Sequence, residues 1–398
     1  MNGTFNLLSM IFIFGALQGF FLSILLFVKY RNLKANRILV WLILLYSLFI
    51  VQNYLFSQQN LSLKYPYILM LLDGFPLLFG PLHLMYVGLL TDTRMSFAKI
   101  RWFHFLPFIL FRLYYLQVFF IPKEELLNIF AQIDAGNIPF HILLSGTITA
   151  VQGLVYMTAA LFVLREYAEK IKLTFSSLDK INLSYLRFFT FLALFVWLIV
   201  LLDNIFIVTG KDAQWSSASI PFLTSVYVYA IGYIGMFKSE IFTQSSIIEN
   251  IHDAQSLSRK ETSSSLDNQK YRKSGLTPEK ANGYLKTIQR AMVDDKMFTD
   301  PEITLSDFSR SVGISSYYIS EIINTRLNQN FFDFVNHYRI NKVKEDLLDE
   351  SKSYLTILGI AMDAGFSSKS GFNAIFKRMT GKTPSEYRNE KRPVLLKS

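Results

Sequence analysis

Hydrophobic residues are distributed along this chain in two different ways. Up to Phe237 they form long runs, whereas from Thr277 onward they recur three or four positions apart between charged residues. A helix that crosses a bilayer needs about 20 mostly apolar residues. Seven runs meet that length, near residues 6–28, 38–57, 67–90, 102–121, 142–164, 188–209 and 220–237. The pattern predicts an all-α protein, with a seven-helix transmembrane bundle followed by a second helical domain.

Two of the seven runs contain helix-breaking or charged residues. The third run includes Asp73, Pro76 and Pro81, and the fourth includes Pro107 and Arg112. Neighbouring helices of a bundle can satisfy the backbone groups that such breaks release. We therefore count both runs as spans.

Lysine and arginine residues between the runs predict the orientation, because they are retained on the cytoplasmic side of a membrane. The loops after odd-numbered runs hold twelve of them, and the opposite loops hold three, Lys64, Lys123 and Lys211. The amino terminus is expected outside and the C-terminal domain in the cytoplasm. No positive charge precedes the first apolar run, which favours a retained span over a cleaved signal peptide.

A serine-rich, charged stretch with almost no aromatic residues separates the two hydrophobic patterns. We predict a sensor domain over 1–237, a linker over 238–277, a helical domain over 278–390 and a basic tail over 391–398. As a flexible coil, the linker would reach about 30–40 Å. That distance is enough to clear the lipid headgroups.

Chemistry-bearing residues give no indication of an enzyme. The chain has no cysteine, its five histidines have no ligand spacing, and its few acidic residues within the apolar runs form no catalytic constellation. We expect no enzymatic activity, no cofactor and no metal.

The C-terminal domain contains one helical pattern twice. Leu305, Phe308, Val312, Ile314 and Ile319 fit two short helices that cross at a tight turn, with Gly313 in the turn. The same pattern returns 52 residues later from Ile360 to Phe366, with Phe372 and Phe376 buried after the turn. A long helix over 332–349 lies between them, so the sequence predicts two helix-turn-helix units.

Helix boundaries in this domain are marked by capping residues. Thr277 and Pro278 begin the first helix, Ser315 caps the second helix of the first unit, and Gly381 stops a later one. Thr383 and Glu386 form a capping box. This box is the simpler explanation of the sequence GKT, which also resembles the end of a phosphate loop.

Residues 278–388 resemble the DNA-binding domain of the AraC/XylS family of bacterial transcription regulators. The resemblance is carried by the following residues: Ile360, Ala361, Gly365, Phe366, Ser368, Ser370, Phe372, Phe376, Lys377, Gly381, Thr383, Pro384, Tyr387 and Arg388. The apolar half looks like the membrane-embedded variants of this family. The resemblance implies a regulator in the bacterial inner membrane, with double-stranded DNA, RNA polymerase and a second copy of the chain as partners.

By resemblance, the recognition helices present two sets of residues to DNA bases, Tyr317, Ser320 and Glu321 in the first unit and Lys369, Ser370 and Asn373 in the second. Lysine can donate to guanine and asparagine can pair with adenine. Ser367 or Ser368, together with Lys377, can hold phosphates. Glu321 could accept a hydrogen bond from a cytosine amine, or it could be a solvated charge.

Net charge separates the two predicted units. Residues 366–398 hold eight basic residues against two acidic ones, whereas residues 278–350 hold nine against twelve. We therefore expect phosphate affinity mainly from the second unit. Arg339, on the long helix, could touch phosphate or pair with Asp333 or Asp346, and we favour the structural role.

Ionisable residues within the apolar runs are candidates for sensing a signal. They are Asp73, His83, Arg112 and Asp203, and the runs also hold the polar residues Gln18, Gln152, Asn53 and Asn204. An ion pair between Arg112 and Asp203 is one hypothesis, and the signal could be a small molecule or the membrane itself. An alternative function is a receptor or transporter whose tail binds a protein, and a further possibility is proteolytic release of the tail.

Overall fold

A computed structural model describes residues 7–29, 34–57, 63–91, 101–134, 137–179, 181, 183–209, 214–238 and 276–395. Within these ranges the chain is helical and contains no strand. It divides into two units. The first unit comprises Met1–Tyr167 and Leu183–Thr243, and the second comprises Ala168–Asn182 and Gln244–Ser398.

Helices α1 to α9 begin in the first unit. They are α1 Leu7–Lys29, α2 Lys34–Ser57, α3 Pro66–Leu72, α4 Pro76–Thr91, α5 Leu106–Tyr115, α6 Lys123–Asp134, α7 Phe140–Thr174, α8 Ser184–Val208 and α9 Gln214–Lys238. Two 3₁₀ helices, Arg101–Phe105 and Leu116–Phe120, flank α5. Each of the seven predicted runs coincides with helix, and the third is divided at Gly74, which has a φ of 83°. The sequence did not predict α6.

Five helical segments in the described ranges are long and apolar enough to cross a membrane. They are Ala35–Phe56, Pro66–Thr91, Trp102–Phe120, Phe140–Thr174 and Ser184–Val208, and a shorter apolar helix spans Phe12–Val28. The helices of the described ranges confirm the predicted all-helical class. The count of seven spans stays a prediction.

Small residues allow α1 to approach two neighbouring helices closely. A Cβ added at Gly19 would lie 2.0 Å from Ser47 Oγ on α2 and 2.9 Å from Val228 on α9. Close helix contact through glycine is typical of helices that pack in lipid.

From Leu276 onward, the described part of the second unit contains seven further α-helices. They are α10 Pro278–Val293, α11 Leu305–Val312, α12 Ser316–Arg326, α13 Phe331–Leu348, α14 Ile357–Asp363, α15 Lys369–Thr380 and α16 Pro384–Leu395. The predicted caps are present, since Thr277 and Ser315 accept from the backbone N–H groups of Lys280 and Tyr318. The predicted linker lies almost entirely outside the described residues, as do the last three residues of the basic tail.

Two apolar cores stabilise this unit, and α13 contributes to both of them. Phe308, Ile319 and Phe334 belong to the first core, and Val343 and Phe376 belong to the second. The tight turns between α11 and α12 and between α14 and α15 therefore each join a helix pair with its own core. Tyr338, on α13, is half-buried.

Candidate nucleic-acid interface and interior cavity

Helix α15 presents a polar face to solvent. Phe372 and Phe376 are buried on its inner side, and Ser368 caps its first turn by accepting from Gly371 N–H at 3.0 Å. Its outward residues, which are Lys369, Ser370, Asn373 and Lys377, are exposed. The four predicted DNA-binding residues of this helix therefore share one accessible surface.

Contacts with α13 and with the preceding turn fix the position of α15. Arg378 forms a 2.6 Å ion pair with Asp333 and lies over the Phe332 ring at 5.5 Å. In the turn, Gly365 has a φ of 92°, and a Cβ there would lie only 2.4 Å from the Phe298 carbonyl oxygen. Both its backbone conformation and its surroundings require glycine.

The corresponding residues of α12 are less accessible. Tyr317, Ser320 and Glu321 are half-buried, and the Ser320 hydroxyl accepts from Asn324 at 3.3 Å. Glu321 Oε2 is shielded from solvent without a hydrogen-bond partner among the described residues. Glu321 is therefore not a fully solvated charge, and its contact with a base stays a prediction.

Arg339 has a structural role with partners that differ from those expected. Its side chain is 1% exposed and donates to the carbonyls of Phe298, Asp300 and Ser176. The predicted partners Asp333 and Asp346 are paired with other basic residues instead. Burial lowers the pKa of Arg339 to about 10, which leaves it charged at neutral pH.

A short segment between α7 and α8 packs against other parts of the second unit. The sequence did not indicate these contacts. Phe175 forms an isolated antiparallel bridge with Thr304. Farther along the segment, the Asp179 carboxylate accepts from the hydroxyls of Ser367 and Ser368 at 2.7 and 2.8 Å. These serines are the residues predicted to hold DNA phosphates.

The first unit contains a cavity of about 670 Å³. Most of its wall is apolar or aromatic, with Tyr46, Trp197 and Tyr227 among the rings. Two carboxylates, two amides and three hydroxyl side chains also lie on it: Asp73, Asp203, Asn53, Asn204, Ser145, Thr149 and Thr224. Ligand pockets typically have volumes of about 300–1,000 Å³ and few polar groups. No basic residue is present among the described residues that line it.

Two of the four candidate sensing residues therefore share the cavity, and two lie elsewhere. His83 is fully buried between the hydroxyls of Tyr227 and Thr190, each 2.9 Å from a ring nitrogen. Arg112 donates to the carbonyls of Met70 and Leu71 and interacts electrostatically with Asp73. The hypothesis of an Arg112–Asp203 ion pair is wrong, because Asp203 is not among the partners of Arg112.

Comparison with known proteins agrees with the geometry of the second unit. A family model described as a helix-turn-helix domain matches residues 308–390. An uncharacterized HTH-type transcriptional regulator of Staphylococcus aureus (strain COL) is 35% identical over 97 residues, which cover 24% of this chain and 12% of that protein. The melibiose operon regulatory protein of Escherichia coli (strain K12) is 33% identical over 89 residues, covering 22% and 28% of the two chains.

A solved structure of a protein of unknown function from Listeria innocua has 25% sequence identity, with a TM-score of 0.24, and covers 26% of this chain and 94% of that one. The family match and the two regulators define the class: the second unit carries a helix-turn-helix domain. This domain is of the AraC type, as the sequence resemblance implied. The match spans only 12% and 28% of the two regulators named.

Proposed function

We propose that this protein is a sequence-specific transcription regulator that is held in a bacterial inner membrane and binds DNA through α15. The observation that carries this proposal is the polar face of α15, where four exposed side chains lie opposite two buried phenylalanines. Recognition helices enter the major groove in this manner. By name, one relative described above is an HTH-type transcriptional regulator and the other is an operon regulatory protein.

The side chains on this face match the chemistry of a DNA duplex. Asn373 can donate to and accept from adenine, and Lys369 can donate to guanine O6 and N7. Lys377 extends the same face with a second positive charge for the backbone. A contact with RNA polymerase and a homodimer belong to the proposal as expected partners.

DNA binding is tested with the full chain in lipid nanodiscs and a pool of random duplexes. We expect enrichment of a shared motif and a fall in affinity with rising salt. Lys369→Ala should weaken binding to that motif. Lys286→Ala is the matched control, since it removes the same charge from an exposed position on α10. Equal binding of all duplexes would instead favour a tail that binds a protein partner.

The membrane part of the proposal is supported by the five long apolar helices and by the charge asymmetry between loops. The absence of cysteine makes its topology directly testable, because a single introduced cysteine is the only thiol. A membrane-impermeant maleimide should label Lys123→Cys in intact spheroplasts but label Glu169→Cys only after lysis. Labelling of both in intact cells would contradict the proposed orientation.

The cavity is the proposed site at which a signal binds. Aromatic rings and two carboxylates on its wall, without a lining basic residue, favour a ligand with a cationic group and an apolar body. Cations are attracted both to ring faces and to carboxylates. Because α7 and α8 both line this cavity and flank the segment that carries Asp179, they connect the site covalently to that segment.

Two probes of the same shape and opposite charge test this site in the full chain. Benzyltrimethylammonium should change the fluorescence of Trp197, and the change should disappear in Trp197→Phe and weaken in Asp203→Asn. Benzenesulfonate is the matched probe and should have no such effect. Equal responses to the two probes would contradict a cation site.

A further inference from the structure

We propose that the segment between α7 and α8 is a built-in competitor of DNA, in which the Asp179 carboxylate occupies the place of a DNA phosphate at the start of α15. This inference rests on the proposed function, because it needs α15 to be the DNA-binding helix. The segment and the helix belong to one structural unit, so their contacts are internal to it.

Ser176 anchors the segment firmly. Its carbonyl oxygen accepts from Arg339 Nη1 at 3.1 Å and from Asn336 Nδ2 at 3.0 Å, and its hydroxyl donates to the Ile303 carbonyl at 2.8 Å. Ser176, Asn336 and Arg339 are all buried. Buried polar groups that satisfy one another in this way hold a segment in a defined position.

Asp179 lies three residues beyond this anchor, at the N-terminal end of α15. Its carboxylate accepts hydrogen bonds from the Ser367 and Ser368 hydroxyls, and Ser177 Oγ lies 2.8 Å from Ser367 Oγ. A Cβ added at Gly371 would meet the two carboxylate oxygens at 2.7 and 2.9 Å. The carboxylate therefore covers the first turn of α15.

An anion at this position resembles what DNA would supply. Serine hydroxyls and helix N-termini commonly contact phosphate oxygens, and a carboxylate offers the same acceptor chemistry and the same sign of charge. Asp179 and a phosphate cannot occupy these hydroxyls together. DNA must displace the segment, and any change that pulls the segment away increases DNA affinity.

Two single substitutions in the full chain, in nanodiscs, test the competition. Asp179→Asn should tighten binding to the selected motif about three- to tenfold, the range expected when the net contribution of one typical hydrogen bond is removed from the competing state. Gly371→Ala should act in the same direction without changing net charge, because its methyl group displaces the carboxylate. Glu169→Gln is the matched control, since it removes one negative charge near the end of α7, where Glu169 pairs with Lys172 and does not contact α15.

A reversible cross-link gives a second measurement. The double variant Ser177→Cys and Ser367→Cys places its only two thiols where hydroxyls are 2.8 Å apart. Oxidation should weaken DNA binding at least tenfold, and dithiothreitol should restore it. If wild type binds the motif but Asp179→Asn matches Glu169→Gln and the oxidised variant binds like the reduced one, this inference is overturned while the proposed function stands. If neither wild type nor any variant selects a motif, the proposed function itself fails.

Discussion

The guanidinium of Arg339 donates to the Ser176 carbonyl oxygen across 163 residues of sequence. The same side chain donates to Phe298 and Asp300 and lies over the ring of Phe366 at 5.9 Å. One buried cation thus connects the segment after α7 with the connection between α10 and α11 and with the turn between α14 and α15. Its removal takes the side-chain donor from the Phe298 carbonyl and one of two donors from the Ser176 carbonyl, which keeps its hydrogen bond from Asn336.

Arg339→Ala should destabilise the second unit by about 3 kcal/mol, because buried acceptors lose a charged donor. Pulse proteolysis of the full chain in urea, followed through a carboxy-terminal tag, measures this change. Arg326→Ala is the control, since Arg326 is exposed on α12 and surface substitutions usually change stability by less than about 0.5 kcal/mol. Equal midpoints for the two variants would show that Arg339 has no structural role.

Gly365→Ala should destabilise the unit more than Gly313→Ala does. Both glycines have positive φ, which costs an alanine about 1–2 kcal/mol. Only Gly365 also faces a backbone carbonyl within 2.4 Å, whereas no atom lies within 4 Å of a Cβ at Gly313. Overpacking adds about 1–3 kcal/mol. The same proteolysis assay compares the two, and a larger loss for Gly313→Ala would contradict this explanation.

Asp346 should make stability depend on pH. Burial alone would raise the pKa of this carboxyl, but hydrogen bonds from Lys352 and Lys342, at 2.7 and 2.9 Å, outweigh it and hold the pKa below its usual value. Because the pKa of Asp346 is lower in the folded chain, its ionised carboxylate stabilises the fold at pH values above the pKa of the unfolded chain, about 3.9. This stabilisation is lost as the pH falls through the pKa of the folded chain.

Asp346→Asn should therefore lower stability at pH 7 by about 1 kcal/mol, a modest figure because both lysines are partly exposed. The difference from wild type should shrink below about pH 4. Asp294→Asn is the control, since Asp294 forms a 3.7 Å pair with Arg290 in which both side chains are mostly exposed. A difference from wild type that does not change with pH would contradict the assignment.

Asn373→Ala and Lys377→Ala should affect DNA binding in distinguishable ways. Loss of Asn373 should relax selection at one base pair, because a bidentate contact contributes about 1–3 kcal/mol of discrimination against the wrong base. Loss of Lys377 should weaken binding to all duplexes and reduce the salt slope by about 0.9. Selection of binding sites at two salt concentrations measures both effects. Relaxed selection in Lys377→Ala alone would reverse the assignment.

The sequence predicted helices and caps well because both depend on local spacing. Thr383 and Glu386 form the predicted capping box, in which the Thr383 N–H donates to Glu386 at 2.8 Å and Glu386 N–H donates to Thr383 Oγ1 at 3.3 Å. Phe366, Phe372 and Phe376 are buried as predicted. Apolar periodicity is sufficient to identify such positions.

Long-range polar contacts could not be predicted in this way. Asn336 and Arg339 lie among the apolar positions of α13, and their partner Ser176 is 160 or more residues away. The carboxylate of Asp179 lies 188 residues in sequence from Ser367, whose hydroxyl donates to it. The sequence also could not distinguish the roles of Asp203 and His83. In the structure, Asp203 lies on the cavity wall, whereas His83 contacts two hydroxyls.

Mapping the chromosomal sites that cross-link to the full chain in cells is the most direct test of DNA binding by this protein. We expect discrete sites that share a motif, with enrichment lost in a Lys369→Ala, Asn373→Ala double variant and retained in Lys286→Ala. The same sites and enrichment in the double variant, or no enriched sites for wild type, would contradict this expectation.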